Sequence, residues 1–541
     1  MQLLRLENTG ASMVAKRLNH MTTSCGLCHG TGIACCPLRS WYLTVCAATP
    51  PTRTHQAIDP YVGGFFLVAE TRPSGTILGK HHMKHVVASL KSGNWKALLA
   101  CFLYFDTGFT TWVMFGPLAP FIAKQLSLSP TQSGFLVAVP VLTASIVRVT
   151  FGNLFQSVHG RRLALLGISL SAIPSFLLLL PIVPTYPMLL VLGGFLGVGG
   201  ASFAIALPMA GSSYPPRVQG LVLGLAAAGN IGAVVDGFLF PTLAQHLGWQ
   251  RATAAALPLL ALTAVTIILW AEDRSAKSGS GARAFAGFAV SLIAVIALVL
   301  LVNAGVFGHG KTGLLLLPVF GSLVALAVLP RKYLAVLAER DTWVIMLVYS
   351  ITFGGFVGMS SYVSLLLTTQ YQLTKVDAGL FMAALSFTGA MIRPVGGFIA
   401  DRLSGVKVLL VLLVAISLCN FTFAMLMPPL MGGIALLAAL YFCFGLGNGA
   451  TFQLVPHRWV GKIGVMTGII GAAGGIGGFY LPVIMGIARE STGSYQLGFA
   501  VFGGLAALAF VLVGTLQRQW LTWALPKNIE LRSDAPIAQA E

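Results

Sequence analysis

The sequence predicts an all-helical polytopic membrane protein of fourteen spans, built as two related six-helix bundles with two further helices between them. Three observations point there. The 541 residues are 56% apolar and only 9% charged, with mean hydropathy +0.85, a composition that no water-soluble fold carries. Apolar stretches of about 20 residues, the length a helix needs to cross the hydrocarbon, recur along the chain. Motifs also repeat at one offset: Arg148 and Arg393 stand 245 positions apart, and so do Asn230 and Gly475.

In chain order, the expected spans lie near 98–122, 133–156, 162–182, 187–209, 218–243 and 251–270, forming the first bundle within a unit 83–273. Two more, near 285–304 and 313–330, follow the charged stretch around Glu272, Asp273, Arg274 and Lys277. They match neither half, and so 274–335 is expected to be a linker with an insertion. The second bundle, within 336–517, has spans near 342–368, 377–400, 406–427, 430–455, 464–488 and 496–516, and a tail runs over 518–541. A looser echo relates Gly199-Gly200-Ala201-Ser202-Phe203 to Gly447-Asn448-Gly449-Ala450-Thr451-Phe452, at an offset near 249. Duplicated halves with a site at their interface are a mark of secondary transporters.

The formal charge of +18 would suggest nucleic acid in a soluble protein, but its placement here follows membrane topology, because lysine and arginine accumulate in cytoplasmic loops. With the amino end inside, the outer loops hold Lys124, Arg251, Lys311, Lys375 and Arg489. Other basic residues beyond position 82 fall on the inner side, save Arg148 and Arg393. Both termini are therefore expected in the cytoplasm, with the lipid bilayer as surroundings and no nucleic-acid partner.

Arg148 and Arg393 are the exception that carries chemistry. Each lies inside an apolar run, four residues before a glycine, in Arg148-Val-Thr-Phe-Gly152 and Arg393-Pro-Val-Gly-Gly397. A charge at bilayer depth costs at least ~2.5–3.5 kcal/mol on insertion scales, and such residues face a cavity or a partner. Two at equivalent positions suggest an anion held between the halves, and guanidinium is a planar fork that suits planar oxyanions. Tyr349 and Phe353, four apart, share one helix face. By spacing alone, tyrosine and phenylalanine placed so are most often packing.

The second half carries Gly397-Phe-Ile-Ala-Asp401-Arg402 with Gly405 and Lys407, and this loop resembles that of the major facilitator superfamily. The first copy, Gly152-Asn-Leu-Phe-Gln156 through Gly160-Arg161-Arg162, has glutamine where the family has aspartate. Over roughly 96–516, excluding the insertion, the chain resembles the nitrate/nitrite porters of that superfamily. The resemblance rests on Phe105-Asp106, Gly200-Ala-Ser-Phe203, Gly229-Asn230-Ile-Gly232 and the run from Gly471 to Pro482. It implies a major facilitator fold and a carrier of nitrate or nitrite in the cytoplasmic (inner) membrane, with no enzymatic activity and no cofactor. It also implies that Arg148 and Arg393 clamp the anion, that Tyr349 and Asn230 add hydrogen bonds, and that Phe203 and Phe353 pack on its faces. A monomer is expected.

Glycine appears 62 times, because small residues let membrane helices approach closely. Gly229, Gly232, Gly474, Gly475, Gly477 and Gly478 read as packing seams along which helices can also shift. Asn230 in such a seam serves equally well as a helix-to-helix contact. Asp106 and Asp236 are the buried acids of the first half: fixed ion-pair partners for Arg148 or Arg393, or carriers of a proton with the anion, with Asp106 also placed to be simply a polar helix contact. Pairing is the favoured alternative.

The first 82 residues differ in kind, holding five of the eight cysteines and no apolar run long enough to span. Cys25-Gly-Leu-Cys28-His29 has c-type haem spacing, and Cys35, Cys36 and Cys46 could join it in a metal site. No clean signal peptide precedes it, so a start at Met83, with 1–82 a disordered or mis-called extension, is the favoured expectation, and no metal or haem is expected. Cys101, Cys419 and Cys443 are expected to pack inertly. Two other functions stay open: a carrier of a different small anion such as formate or a short carboxylate, and a membrane redox subunit built on the cysteine-histidine motif.

Overall fold

The computed structural model describes residues 93–215, 219–307, 311–459 and 462–524. The cysteine-histidine motif, the Met83 start and the end of the tail fall outside the described residues. Those described belong to one compact unit and are helical, with no strand among them.

The first span is broken: α1 (Trp95–Val113) gives way to α2 (Phe115–Leu126) at Met114, where Pro117 and Pro120 remove backbone donors. α3 (Pro130–Phe155) is the second span and α4 (Gly160–Leu179) the third. The fourth is again two helices, α5 (Tyr186–Gly200) and α6 (Phe203–Ser212). The fifth runs through α7 (Gln219–Ala227), a 3-10 turn at Ala228–Ile231 and α8 (Gly232–Leu247). α9 (Trp249–Thr253) and α10 (Ala256–Trp270) complete the first six. The inserted pair is α11 (Gly281–Asn303) and α12 (Thr312–Val328), followed by the short α13 (Arg331–Leu337). The last six are α14 (Arg340–Gln370), α15 (Lys375–Leu403), α16 (Gly405–Leu426), α17 (Leu430–Arg458), α18 (Ile463–Thr492) and α19 (Gln496–Ala524). Among the described residues thirteen spans are long and apolar enough to cross a membrane, and the expected fourteenth, α12, is an apolar helix of 17 residues. This is a multi-pass membrane protein.

Glycines set the closest approaches. A Cβ at Gly475 would stand 1.9 Å from Ser145 Oγ, one at Gly134 2.4 Å from the Pro482 carbonyl and one at Gly486 2.5 Å from that of Pro130. α3 and α18 therefore touch backbone to backbone from about mid-depth to one end. At that end Glu490 of α18 accepts hydrogen bonds from the Ser129 hydroxyl (2.7 Å) and the Thr131 N–H (3.0 Å) at the start of α3. Toward the other end Gly464 and Gly468 meet only open space. Gly237 and Gly379 join α8 to α15 in the same way.

The inserted pair packs on the second span. Phe288 stacks on Phe151 at 4.9 Å, Gly321 lies against Ile146, and the Tyr480 hydroxyl of α18 donates to the Leu315 carbonyl (2.8 Å). The linker before it is tied to the loop between α3 and α4. Asp273 accepts from the Gly160 N–H at 2.6 Å and pairs with Lys277 at 2.7 Å, while Arg161 donates twice to the Ala271 carbonyl.

Candidate functional site

Arg148 projects from α3 and is 3% exposed. The break in the fourth span ends α5 at Gly200, and a carbonyl in a last helical turn lacks its usual partner. Arg148 Nη2 donates to that carbonyl at 2.8 Å, and the negative end of the α5 dipole favours a cation there. Nη1 donates to the Gly471 carbonyl of α18 at 3.1 Å, so the side chain bridges the two bundles. Its guanidinium lies over the rings of Trp112 (5.3 Å), Phe203 (5.4 Å) and Phe353 (5.8 Å). Trp112 is oriented by donating from Nε1 to the Pro140 carbonyl (3.0 Å).

Arg393, on α15, reaches the same ring from the other bundle. Its guanidinium is 5.9 Å from the Phe353 centroid and 5.7 Å from that of Phe452. Its Nη2 donates to the Tyr349 hydroxyl at 3.4 Å, and Nη1 is buried without a partner. Tyr349 and Phe353 stack on one another at 5.1 Å with planes 5° apart, on the shared face that their spacing predicts. Phe353 thus has a guanidinium from each bundle on it. Gly474 leaves room for this stack, since a Cβ there would meet Tyr349 and Phe353 below 3.0 Å, and Gly477 does the same for the backbone at Ser350.

The remaining expected residues lie nearby with other contacts. Asn230 sits in the 3-10 turn, buried, its Oδ1 without a partner. Gly229 and Gly232 beside it press the fifth span on Phe105, Asp106 and Thr110 of the first, and Phe105 meets Phe203 edge-on at 5.3 Å. Gly478 faces Val141 on the α3 seam. Asp236 is fully buried with neither carboxylate oxygen partnered, and one oxygen of Asp106 is likewise alone. The favoured pairing of these acids with the arginines is not formed: among the described residues no carboxylate comes within 4.0 Å of either guanidinium. Asp106 is held instead at the contact with the fifth span and Asp236 on the buried side of α8. Asp401 is exposed at the end of α15, with Arg402 over the Phe398 ring at 4.1 Å.

Sequence reasoning missed Trp112, Phe452 and the two carbonyls. Phe452 had a signal: it ends the echo of the motif that ends at Phe203, and each phenylalanine lies under the arginine of its own half. Nothing in the sequence marks Trp112 or the Gly471 carbonyl.

A family model described as Major Facilitator Superfamily matches residues 99–457. A protein named probable nitrate/nitrite transporter NarK2, from Mycobacterium tuberculosis, is 30% identical over 74% of this chain and 91% of its own. The chain belongs to the nitrate/nitrite porter family of the major facilitator superfamily. Another relative, named nitrite extrusion protein, from Bacillus subtilis, is 29% identical over 77% of this chain and 91% of its own length. These relatives of the porter are named as transporters and not as enzymes. Among solved structures, a POT family transporter in complex with 5-aminolevulinic acid superposes with TM-score 0.62 at 14% identity, covering 79% of this chain and 97% of that one, which bears on the fold alone.

Proposed function

We propose that this porter carries nitrate and nitrite across the cytoplasmic membrane, as a monomer with both termini inside, and grips the anion between Arg148 and Arg393. The observation that carries the reading is the pair of guanidinium groups, one from each bundle, at 5.8 and 5.9 Å from the centroid of the Phe353 ring, with no carboxylate among the described residues within 4.0 Å of either. A buried and a part-buried cation without counterions are costly to leave unpaired, and a flat, singly charged, weakly hydrated anion relieves that cost while matching the planar forks and aromatic walls. The names of the relatives point to the same anions. Nη1 of Arg393 and Nε of Arg148, both unpartnered, are the donors open to the anion.

Alternating access about this site follows the packing of the bundles, closed at the Glu490 end and open near Gly464. Because an empty site keeps two unneutralised charges, anion exchange is the favoured mode, and Asp106 and Asp236 are the carboxylates to examine if protons move too. The test is counterflow of labelled nitrate into proteoliposomes preloaded with nitrite, with and without an imposed pH gradient. Flux that is driven by internal nitrite and indifferent to the gradient is expected. Flux that persists in vesicles without a counter-anion rules out strict exchange, and formate competing as well as nitrite rules out the substrate.

A further inference from the structure

A second amide adjoins the arginine pair, on a helix to which nothing above assigns a ligand. Asn448 of α17 is 2% exposed and its Oδ1 has no hydrogen-bond partner. It stands four residues before Phe452, on the same helix face, and the Phe452 ring carries Arg393 and meets Tyr349 edge-on at 5.1 Å. Its two neighbours fix where that face points. A Cβ at Gly447 would be 2.5 Å from Thr352 Cγ2, and one at Gly449 would be 2.3 Å from the Arg393 carbonyl. Asn448 therefore enters between α14 and α15, at the depth of Thr352 and of the Arg393 backbone.

Three buried polar groups in this corner lack partners: Asn448 Oδ1, the Thr352 hydroxyl and Arg393 Nη1. Native proteins leave few such groups unmet, and a cluster of them asks for an explanation. The halves also differ here. At the looser offset that relates Phe203 to Phe452, the counterpart of Asn448 is Gly199, where a Cβ would already be 2.3 Å from Thr111 Oγ1. At the other offset, Asn230 corresponds to Gly475. Each half thus brings one amide to the region, from different helices.

We infer that Asn448 is a specificity-determining residue: its amide donates to the oxygen of a planar oxyanion that the two arginines leave uncovered, with the Thr352 hydroxyl donating to Oδ1 to hold the amide in that orientation. Nitrate has three oxygens and nitrite two, so the additional donor favours nitrate. This rests on the reading of the site as an anion clamp and adds selectivity to it.

The test is titration calorimetry of the purified full chain with sodium nitrate and with sodium nitrite, comparing wild type with Asn448→Ala, Asn448→Ser and Thr352→Val. Loss of one hydrogen bond to a charged group is expected to weaken nitrate binding by about tenfold or more in Asn448→Ala, with nitrite within about twofold. Asn448→Ser, which keeps a donor, is expected to recover part of the preference, and Thr352→Val to lower it in the same direction. The ratio of the two affinities is the readout, because a general loosening of the fold lowers both together. A ratio equal to that of wild type in all three variants overturns the assignment. Where Asn448→Ala does not fold, Asn448→Ser and Thr352→Val decide. Wild-type protein that binds neither anion refutes instead the function on which the inference rests.

Discussion

Arg148 and Arg393 occupy equivalent positions in the two halves, yet they are held differently. Arg148 spends donors on two backbone carbonyls, one in each bundle, and lies over three rings. Arg393 makes one long bond, to a tyrosine hydroxyl, and each arginine keeps one buried donor without a partner, Nε of Arg148 and Nη1 of Arg393. The first is a strut between the bundles, and the second is held by fewer bonds. Repetition of sequence reproduces the charge, while the neighbours divide the labour.

The sharpest way to break this comparison is by transport. Lysine keeps the charge but loses the fork, so Arg148→Lys and Arg393→Lys are each expected to cut nitrate counterflow by about 10- to 100-fold; intact flux in either rules out the clamp. Stability should separate the pair where flux does not. Arg148→Met strands the Gly200 and Gly471 carbonyls and is expected to cost about 3 kcal/mol, whereas Arg393→Met removes a poorly paired, part-buried charge and should be near neutral. Equal shifts of melting temperature in detergent would show that the two arginines are held alike.

The seam that Arg148 bridges makes a smaller prediction. Gly475→Ala is expected to destabilise by about 2 kcal/mol through overpacking, because its Cβ lands on Ser145 Oγ, and to lower flux. Adding Ser145→Gly should restore both, and a double variant no better than Gly475→Ala would place the defect elsewhere.

The smallest effect concerns the inner loops. The second loop keeps its aspartate, whereas the first has Gln156, whose side chain accepts from Lys332 at 2.7 Å, and the carboxylate at the start of α4 comes from Asp273, just ahead of the linker. Burial pushes the Asp273 carboxyl up, but hydrogen bonds from Lys277, Ser275 and the Gly160 N–H outweigh it and leave it below the usual carboxylate range. Burial acts oppositely on Lys277, drawing its ammonium down despite the carboxylate; the carboxylate governs behaviour in acid. A depressed carboxyl stabilises above its unfolded value of about 4, and that contribution is lost as pH falls through the folded value. Asp273→Asn is therefore expected to cost about 1 kcal/mol at neutral pH and to shrink the difference from wild type as the pH drops below that range. A difference constant with pH would discount the carboxylate.

Much of this was legible beforehand. Span positions, the insertion, Arg148 and Arg393, and the shared face of Tyr349 and Phe353 follow from hydropathy, offset and helical period, which are properties of residues near each other in sequence. Partners that meet across helices were not legible. The pairing weighed for Asp106 and Asp236 does not form because their faces turn to the fifth span's seams, and no local pattern encodes which way a buried face turns.

Composition and periodicity alone determined that this chain spans a membrane many times and carries two arginines within its spans, because a bilayer accepts only helices whose backbone is satisfied internally and rarely admits a charge. Only the packed helices decided that one guanidinium is bonded to two carbonyls and the other to a tyrosine hydroxyl. That depends on breaks such as the one after Gly200 and on which backbone comes within hydrogen-bond reach, and both are settled by the fit of distant segments.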